Sequence, residues 1–335
     1  MDLDSIPFPP RLDVACLPTR VRPLPRLSAQ WGGPTLWIKH DDDTGGLLGG
    51  NKIRKLQYAV KHALDIGADT LITCGGIQSN HCRATAALAR QVGLRVALLL
   101  RGEPPVEATG NLLLDQVLGA EIHWVTPEQY RAHDERMESL AEQLRTEGRH
   151  PYVIAEGCSM PVGSWGYIEA AKEIAQAEAE HGVRFDAIVH AVGSGGTSAG
   201  LELGRRLFGL EAKLYGVNVC DDAATFRELI GSLAEATARQ YNLPVSVPPE
   251  QIELIDGYVG EGYGRTRPEE LALLLTLARL EGVMLDPVYS GKAMFALHRE
   301  WSHERFAGAK HVLFVHTGGL LGLFAHATGL TAAMG

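Results

Sequence analysis

Gly49-Gly50-Asn51-Lys52-Ile53-Arg54-Lys55 is the stretch on which the reading of this 335-residue chain turns. Two glycines free the backbone ahead of Asn51, whose side chain can cap a helix beginning at or near Lys52. Leu56, Ala59, Val60, Ala63 and Leu64 follow at helical spacing and give one apolar face. A lysine in the first turn meets the partial positive charge of the helix N-terminus. That position favours the neutral amine, the form that attacks a carbonyl or a cofactor aldehyde. Lys55 lies one turn further on, where a phosphate could sit between its ammonium and free backbone N–H groups. On this stretch alone, two solvated surface lysines are the alternative.

Outward from this helix, apolar strands alternate with helices. Thr35–Lys39 reads as a short strand ending in the polar turn Asp41–Thr44, after a Pro- and Arg-rich segment over 1–36 that wraps a larger lobe. Thr70–Cys74, Arg95–Leu100, Glu121–Val125 and Tyr152–Ala155 read as strands. Between them lie helices over Ser79–Val92 and Glu107–Leu118 and a long helix ending near Gly148. The second half continues with a helix over Gly166–Glu178, the strand Ala187–Val192, a helix to Leu207 and the strand Leu214–Val219. A helix over Pro268–Leu280 and the strand Lys310–His316 complete it. The pattern predicts an α/β fold: two open, twisted, mostly parallel sheets with helices on both faces. A ligand in such a fold binds in the cleft between lobes, outside the carboxyl ends of the strands.

Composition narrows the function classes. The chain is 45% hydrophobic and 21% charged, as in a soluble globular protein, and its net charge of -9 argues against a nucleic-acid surface. No apolar run reaches the length of a membrane span. Met1–Pro25 carries six prolines and no basic-then-apolar signal pattern. Cys16, Cys74, Cys82, Cys158 and Cys220 are scattered, with no C-x-x-C pair. A disulfide framework or metal site is therefore not expected, and a reducing cytoplasm is.

Four strand ends carry glycines or hydroxyls. Gly193-Ser194-Gly195-Gly196-Thr197 joins a strand to a helix, and its backbone N–H groups can approach an anion. No Gly-Lys-Ser/Thr follows, and the glycine spacing is wrong for a dinucleotide fingerprint, which leaves a single-phosphate site or a plain tight turn. In Gly75-Gly76-Ile77-Gln78-Ser79-Asn80-His81, Ser79 or Asn80 is either an N-cap or a partner for a carboxylate or cofactor hydroxyl. His81 is a candidate base or a structural histidine. Asp286-Pro287-Val288-Tyr289-Ser290-Gly291-Lys292 sets a tyrosine before a helix, where it can pack or shuttle protons. Phe314-Val315-His316-Thr317-Gly318-Gly319 ends a strand in a hydroxyl and two glycines. An amine nucleophile, an anion cradle, a carboxylate-binding turn, a tyrosine and a neutral hydroxyl together suit pyridoxal 5'-phosphate.

These motifs, with Ile77–Ala86 and Asp286–Ala293, resemble the D-cysteine desulfhydrase and 1-aminocyclopropane-1-carboxylate deaminase family of tryptophan-synthase-β-like pyridoxal phosphate enzymes. The likeness runs from about Leu36 to the C-terminus. Trp165–Ala171 and Val219–Asp222 look closest to the desulfhydrase branch. The resemblance implies a large cofactor-binding domain from residues 1–55 plus 163–335, a small α/β domain from 56–162, and a homodimer. It implies that Lys52 links covalently to the cofactor, is displaced by the substrate amine and then moves the Cα proton. Asn80 would bond the cofactor's ring hydroxyl, and Ser79 would hold the substrate carboxylate. Gly193–Thr197, assisted by Lys55, would bind the phosphate. Tyr289 and Tyr263 would face the substrate, beside His81 and Ser290.

Within that family, the ring-opening deaminases carry glutamate after the tyrosine and leucine before the last two glycines. Ser290 and Thr317 stand at those positions here, as in the desulfhydrases. A neutral hydroxyl moderates the cofactor's electron sink, which suffices for expelling thiolate but less well for opening a cyclopropane. Glu156-Gly157-Cys158-Ser159-Met160 departs from the Gly-Gly-Ser-Asn run of a close desulfhydrase, so substrate choice can differ. The expectation is α,β-elimination on a small D-amino acid, D-cysteine first. The rivals are the cyclopropane deaminase, a lyase on cysteate or serine, and a non-catalytic ligand-binding relative.

Overall fold

The computed structural model describes residues 6–220, 222–262 and 264–334. Ten strands form two sheets. They are β1 (Val21–Pro23), β2 (Thr35–Lys39), β3 (Thr70–Gly76), β4 (Arg95–Arg101), β5 (Glu121–Val125), β6 (Pro151–Val153), β7 (Ala187–Val192), β8 (Lys213–Asn218), β9 (Glu253–Ile255) and β10 (His311–Val315). The six-stranded sheet runs β1-β2-β10-β7-β8-β9, parallel except for the antiparallel β1–β2 pair at its edge. The four-stranded sheet runs β5-β4-β3-β6 and is wholly parallel. Both expected sheets are present. Their strands are continuous apolar runs because both faces are covered by helices: Ala187–Val192 is buried throughout.

The Pro161–His181 helix is the hub between the Asn51–Asp65 and Gly196–Leu207 helices. Small residues allow it. A Cβ on Gly204 would lie 2.5 Å from that of Ala171, and one on Gly166 would run into the Arg54 carbonyl. The backbones that present Lys52, Lys55 and the Gly193–Thr197 loop are thereby held at close range.

Several boundaries differ from the sequence expectation. Asn51 is the first residue of its helix, not the cap; Gly50 is the cap, at φ 110°. The Asn51 amide instead donates to Thr197 Oγ1 at 3.1 Å, a partner supplied by the other half of the chain. β3 continues through Gly75-Gly76 rather than breaking there, because β4 pairs with both glycines. The segment before Gly148 is two helices, Pro127–Tyr130 and His133–Thr146. The Gly166–Glu178 helix starts earlier, at Pro161, where proline's fixed φ suits the first turn. The Ala223–Tyr241 helix and β9 add to the elements expected above. No helix among the described residues is long and apolar enough to cross a membrane.

Candidate active site

The carboxyl ends of β3, β6, β7 and β10 face one cleft of about 700 Å³, its open mouth included. Lys52, Ser79, Asn80, His81, Gly193, Ser194, Gly195, Thr197, Tyr289 and Thr317 all stand in its wall. Positions up to 265 residues apart in sequence thus meet, as expected of strand-end loops in an open α/β sheet.

Lys52 is the second residue of its helix. Burial lowers its ammonium pKa to about 8, the charges of Cys158, Glu156 and Asp286 partly offset this, and Arg83 adds to it. Desolvation is the largest of these causes in the fold. Arg83 also holds the approach to Lys52 by donating to the Leu47 carbonyl and, at 3.2 Å, to the Gly49 carbonyl. It has no local motif, and its role was missed in the sequence.

The Gly193–Thr197 loop leads β7 into the Gly196–Leu207 helix, with Gly195 as a left-handed cap at φ 78°. Ser159, just after the Glu156–Cys158 turn, braces this loop. Its hydroxyl donates to Ser194 Oγ at 2.9 Å and accepts from Gly196 N–H at 3.2 Å. A Cβ on Gly196 would lie 2.8 Å from Ser159 Oγ and 3.2 Å from Lys55 Nζ. Lys55 is fully buried, and its Nζ has no hydrogen-bond partner. Burial, with Lys52 second, drives its pKa well below the ordinary lysine value. A buried amine without a protein partner, beside a glycine cradle and a helix N-terminus, is an arrangement suited to an anion. This fits the phosphate of a cofactor.

Ser79 caps the Asn80–Gln91 helix by accepting from Cys82 N–H at 3.2 Å. Asn80 Oδ1 accepts from Asn111 Nδ2 at 2.9 Å, which fixes the amide plane in the wall. His81 is buried with Nε2 against Thr73 Oγ1 at 2.8 Å. Burial, then the charges of Lys52 and Lys55, hold its pKa well below the usual value, so it is a neutral ring. The Tyr289 ring packs on Gly193, whose Cβ would come within 2.8 Å of Cε1. Thr317 lies in the wall, and its carbonyl accepts from Asn51 N–H at 2.9 Å. Ser290 is the exception. It is fully buried behind the wall, where Oγ donates to Asp286 Oδ1 at 2.6 Å and accepts from Asp286 N–H at 2.9 Å. It secures the start of the Ser290–Glu300 helix. Tyr263 lies outside the described residues.

A buried amine at a helix start, an anion cradle and a threonine in the wall suit an enzyme that works through an aldehyde cofactor carrying a phosphate. The chain belongs to the pyridoxal-phosphate dependent enzyme family, whose pattern matches residues 12–318. It is 41% identical over 313 residues to a bifunctional D-cysteine desulfhydrase/1-aminocyclopropane-1-carboxylate deaminase, mitochondrial, of Arabidopsis thaliana, covering 90% of this chain and 77% of that one. It is 40% identical to a D-cysteine desulfhydrase of Klebsiella pneumoniae, covering 97% and 99%. The fold superimposes with a TM-score of 0.89 on the crystal structure of an ACC deaminase homologue, at 36% identity and covering 99% and 97% of the two chains.

Proposed function

We propose that this protein catalyses α,β-elimination on a small D-amino acid, with D-cysteine and water giving pyruvate, hydrogen sulfide and ammonia. The observation that carries this reading is Thr317. It lines the inner wall, and its side chain is a neutral hydroxyl where an acid could have stood. The nearby Asp286 carboxylate is taken up by Val288 N–H, Tyr289 N–H, Ser290 N–H and Ser290 Oγ. Such a wall favours expulsion of a good leaving group over ring opening.

Pyridoxal phosphate, when bound, draws electron density away from the Cα of an attached amino acid. Lys52 would hold the cofactor at its aldehyde carbon, and its amine would accept the Cα proton; burial, which lowers its pKa to about 8, keeps a working fraction neutral. Ser79 and the helix start at Asn80 receive the substrate carboxylate. Asn80 and Thr317 orient the ring, while Gly193–Thr197 and Lys55 hold the phosphate. Tyr289 moves a proton at the departing sulfur.

The 1-aminocyclopropane-1-carboxylate deaminase reading remains the rival. Ser290 and Thr317, which stand where the ring-opening deaminases carry glutamate and leucine, argue against it. The same proposal takes residues 1–55 plus 163–335 as the cofactor-binding domain and 56–162 as the small domain. It further takes the protein as a cytoplasmic homodimer. The test is pyruvate release from D-cysteine, with L-cysteine, cysteate, serine and aminocyclopropane carboxylate beside it. Pyruvate from D-cysteine is expected. Exclusive formation of 2-oxobutyrate from the cyclopropane would replace the first reading by the second.

A further inference from the structure

Glu156 is the one carboxylate among the described residues that line the inner cleft. It opens the Glu156–Cys158 turn that follows the carboxyl end of β6. Its side chain is held. Oε1 accepts from Tyr130 Oη at 2.7 Å, and the Tyr130 ring is fixed in turn by Arg101, whose guanidinium carbon lies 4.9 Å above its centroid. Tyr130 is buried among Cys74, Val125 and Met137 and stacks on His133 at 4.9 Å. Burial raises its phenol pKa strongly, so it remains a donor. One carboxylate oxygen is therefore spent on Tyr130, which orients the whole group. Asp286, the carboxylate of the adjoining mouth, has both oxygens occupied by the start of the Ser290–Glu300 helix. Glu156 is the acid that a ligand in the cleft meets.

Resting on the reading of the cleft as an amino-acid site, we propose that Glu156 determines specificity by the charge of the substrate's side chain. An oriented carboxylate in a cleft wall repels an anionic β-substituent and favours a cationic or hydrogen-bond-donating one. Sulfonate- and carboxylate-bearing amino acids are disfavoured, while thiol-, hydroxyl- and amine-bearing ones are admitted. Tyr130 is a positioning residue for Glu156.

The test is binding, not turnover, so it does not depend on which reaction the enzyme performs. Racemic aspartate, alanine and 2,4-diaminobutyrate, none with a leaving group on Cβ, are titrated into the holoenzyme by its visible absorbance. Wild type is expected to bind diaminobutyrate more tightly than alanine and alanine more tightly than aspartate. Glu156→Gln, which keeps an acceptor for Tyr130, should compress the aspartate-to-diaminobutyrate ratio by roughly tenfold. Tyr130→Phe should compress it less. An aspartate-to-diaminobutyrate ratio left unchanged by Glu156→Gln, no ordering in wild type, or a shift produced by Arg101→Gln and not by Glu156→Gln would overturn the proposal. A charge order that responds to Glu156→Gln in an enzyme silent on D-cysteine would leave this assignment standing and remove the elimination reading.

Discussion

Lys55 shows how a residue can be costly to the fold and needed by the site. A buried donor without a partner costs about 1–3 kcal/mol, and Lys55 Nζ is such a donor. Lys55→Met keeps the volume and removes the amine. The cofactor-free variant should be more stable than wild type by about 1–2 kcal/mol in urea unfolding. It should also hold pyridoxal phosphate about tenfold more weakly, because a charge-assisted contact is lost. A variant that is less stable and binds the cofactor normally would show that Lys55 finds its partner elsewhere. For Lys52 the sign follows from burial. Burial lowers its ammonium pKa from 10.5 to about 8, so the neutral amine becomes abundant at a lower pH than for an exposed lysine. Loading of the cofactor-free protein, followed by visible absorbance, should quicken as pH rises through about 8 and then level off. Lys52→Ala should show no borohydride-reducible cofactor at any pH and no turnover, with its far-ultraviolet circular dichroism intact.

At the scale of elements, the strand-to-helix turns are where the sequence speaks most plainly. Ser79 caps its helix and Gly195 caps the next, because capping depends on residues a few positions apart. What the sequence hides is the contact made across the cleft. Asn51 reads as a cap, yet its amide goes to Thr197, and Ser290 reads as a wall residue, yet its hydroxyl goes to Asp286. Arg83 and Ser159 act on backbone far away in the chain and carry no local signature. The Ala223–Tyr241 helix is a different case. Phe226, Ile230, Leu233, Ala234 and Thr237 are buried at helical spacing, so its pattern was readable. The cradle itself is testable at this scale. In Gly196→Ala the new methyl would crowd Ser159 and Lys55. The overpacking costs about 1–3 kcal/mol, and the loop can relieve it only by opening. Loss of cofactor on dialysis, with secondary structure unchanged, is expected; full retention would place the phosphate elsewhere.

For the molecule as a whole, the helix that presents Lys52 and Lys55 is anchored through a buried cluster of opposed charges. Arg54 donates to Glu173 at 2.7 and 2.9 Å and to Asp41 at 2.8 Å; Lys39 pairs with Glu173; Thr19 and Tyr167 donate to Asp41 at 2.7 and 2.8 Å. The cluster joins β2, the Lys52 helix and the Pro161–His181 hub. Burial alone would raise the two carboxyls, but Arg54 and Lys39 with the hydrogen bonds outweigh it. Asp41 falls to about 2, and Glu173 is lowered too. A carboxyl whose folded pKa lies below its unfolded value stabilises the fold above the unfolded value, near 4, and loses that contribution as pH falls towards the folded one. The melting temperature should therefore drop steeply between about pH 4 and pH 2. Glu173→Gln leaves two buried cations facing one carboxylate and should cost about 3–5 kcal/mol at neutral pH. Its melting temperature should start lower and fall less on acidification, because one of the titrating partners is gone. Parallel curves for variant and wild type would mean that acid unfolds the protein elsewhere. If cofactor retention weakens alongside stability in this variant, the cluster is what keeps the Lys52 helix seated against the cradle.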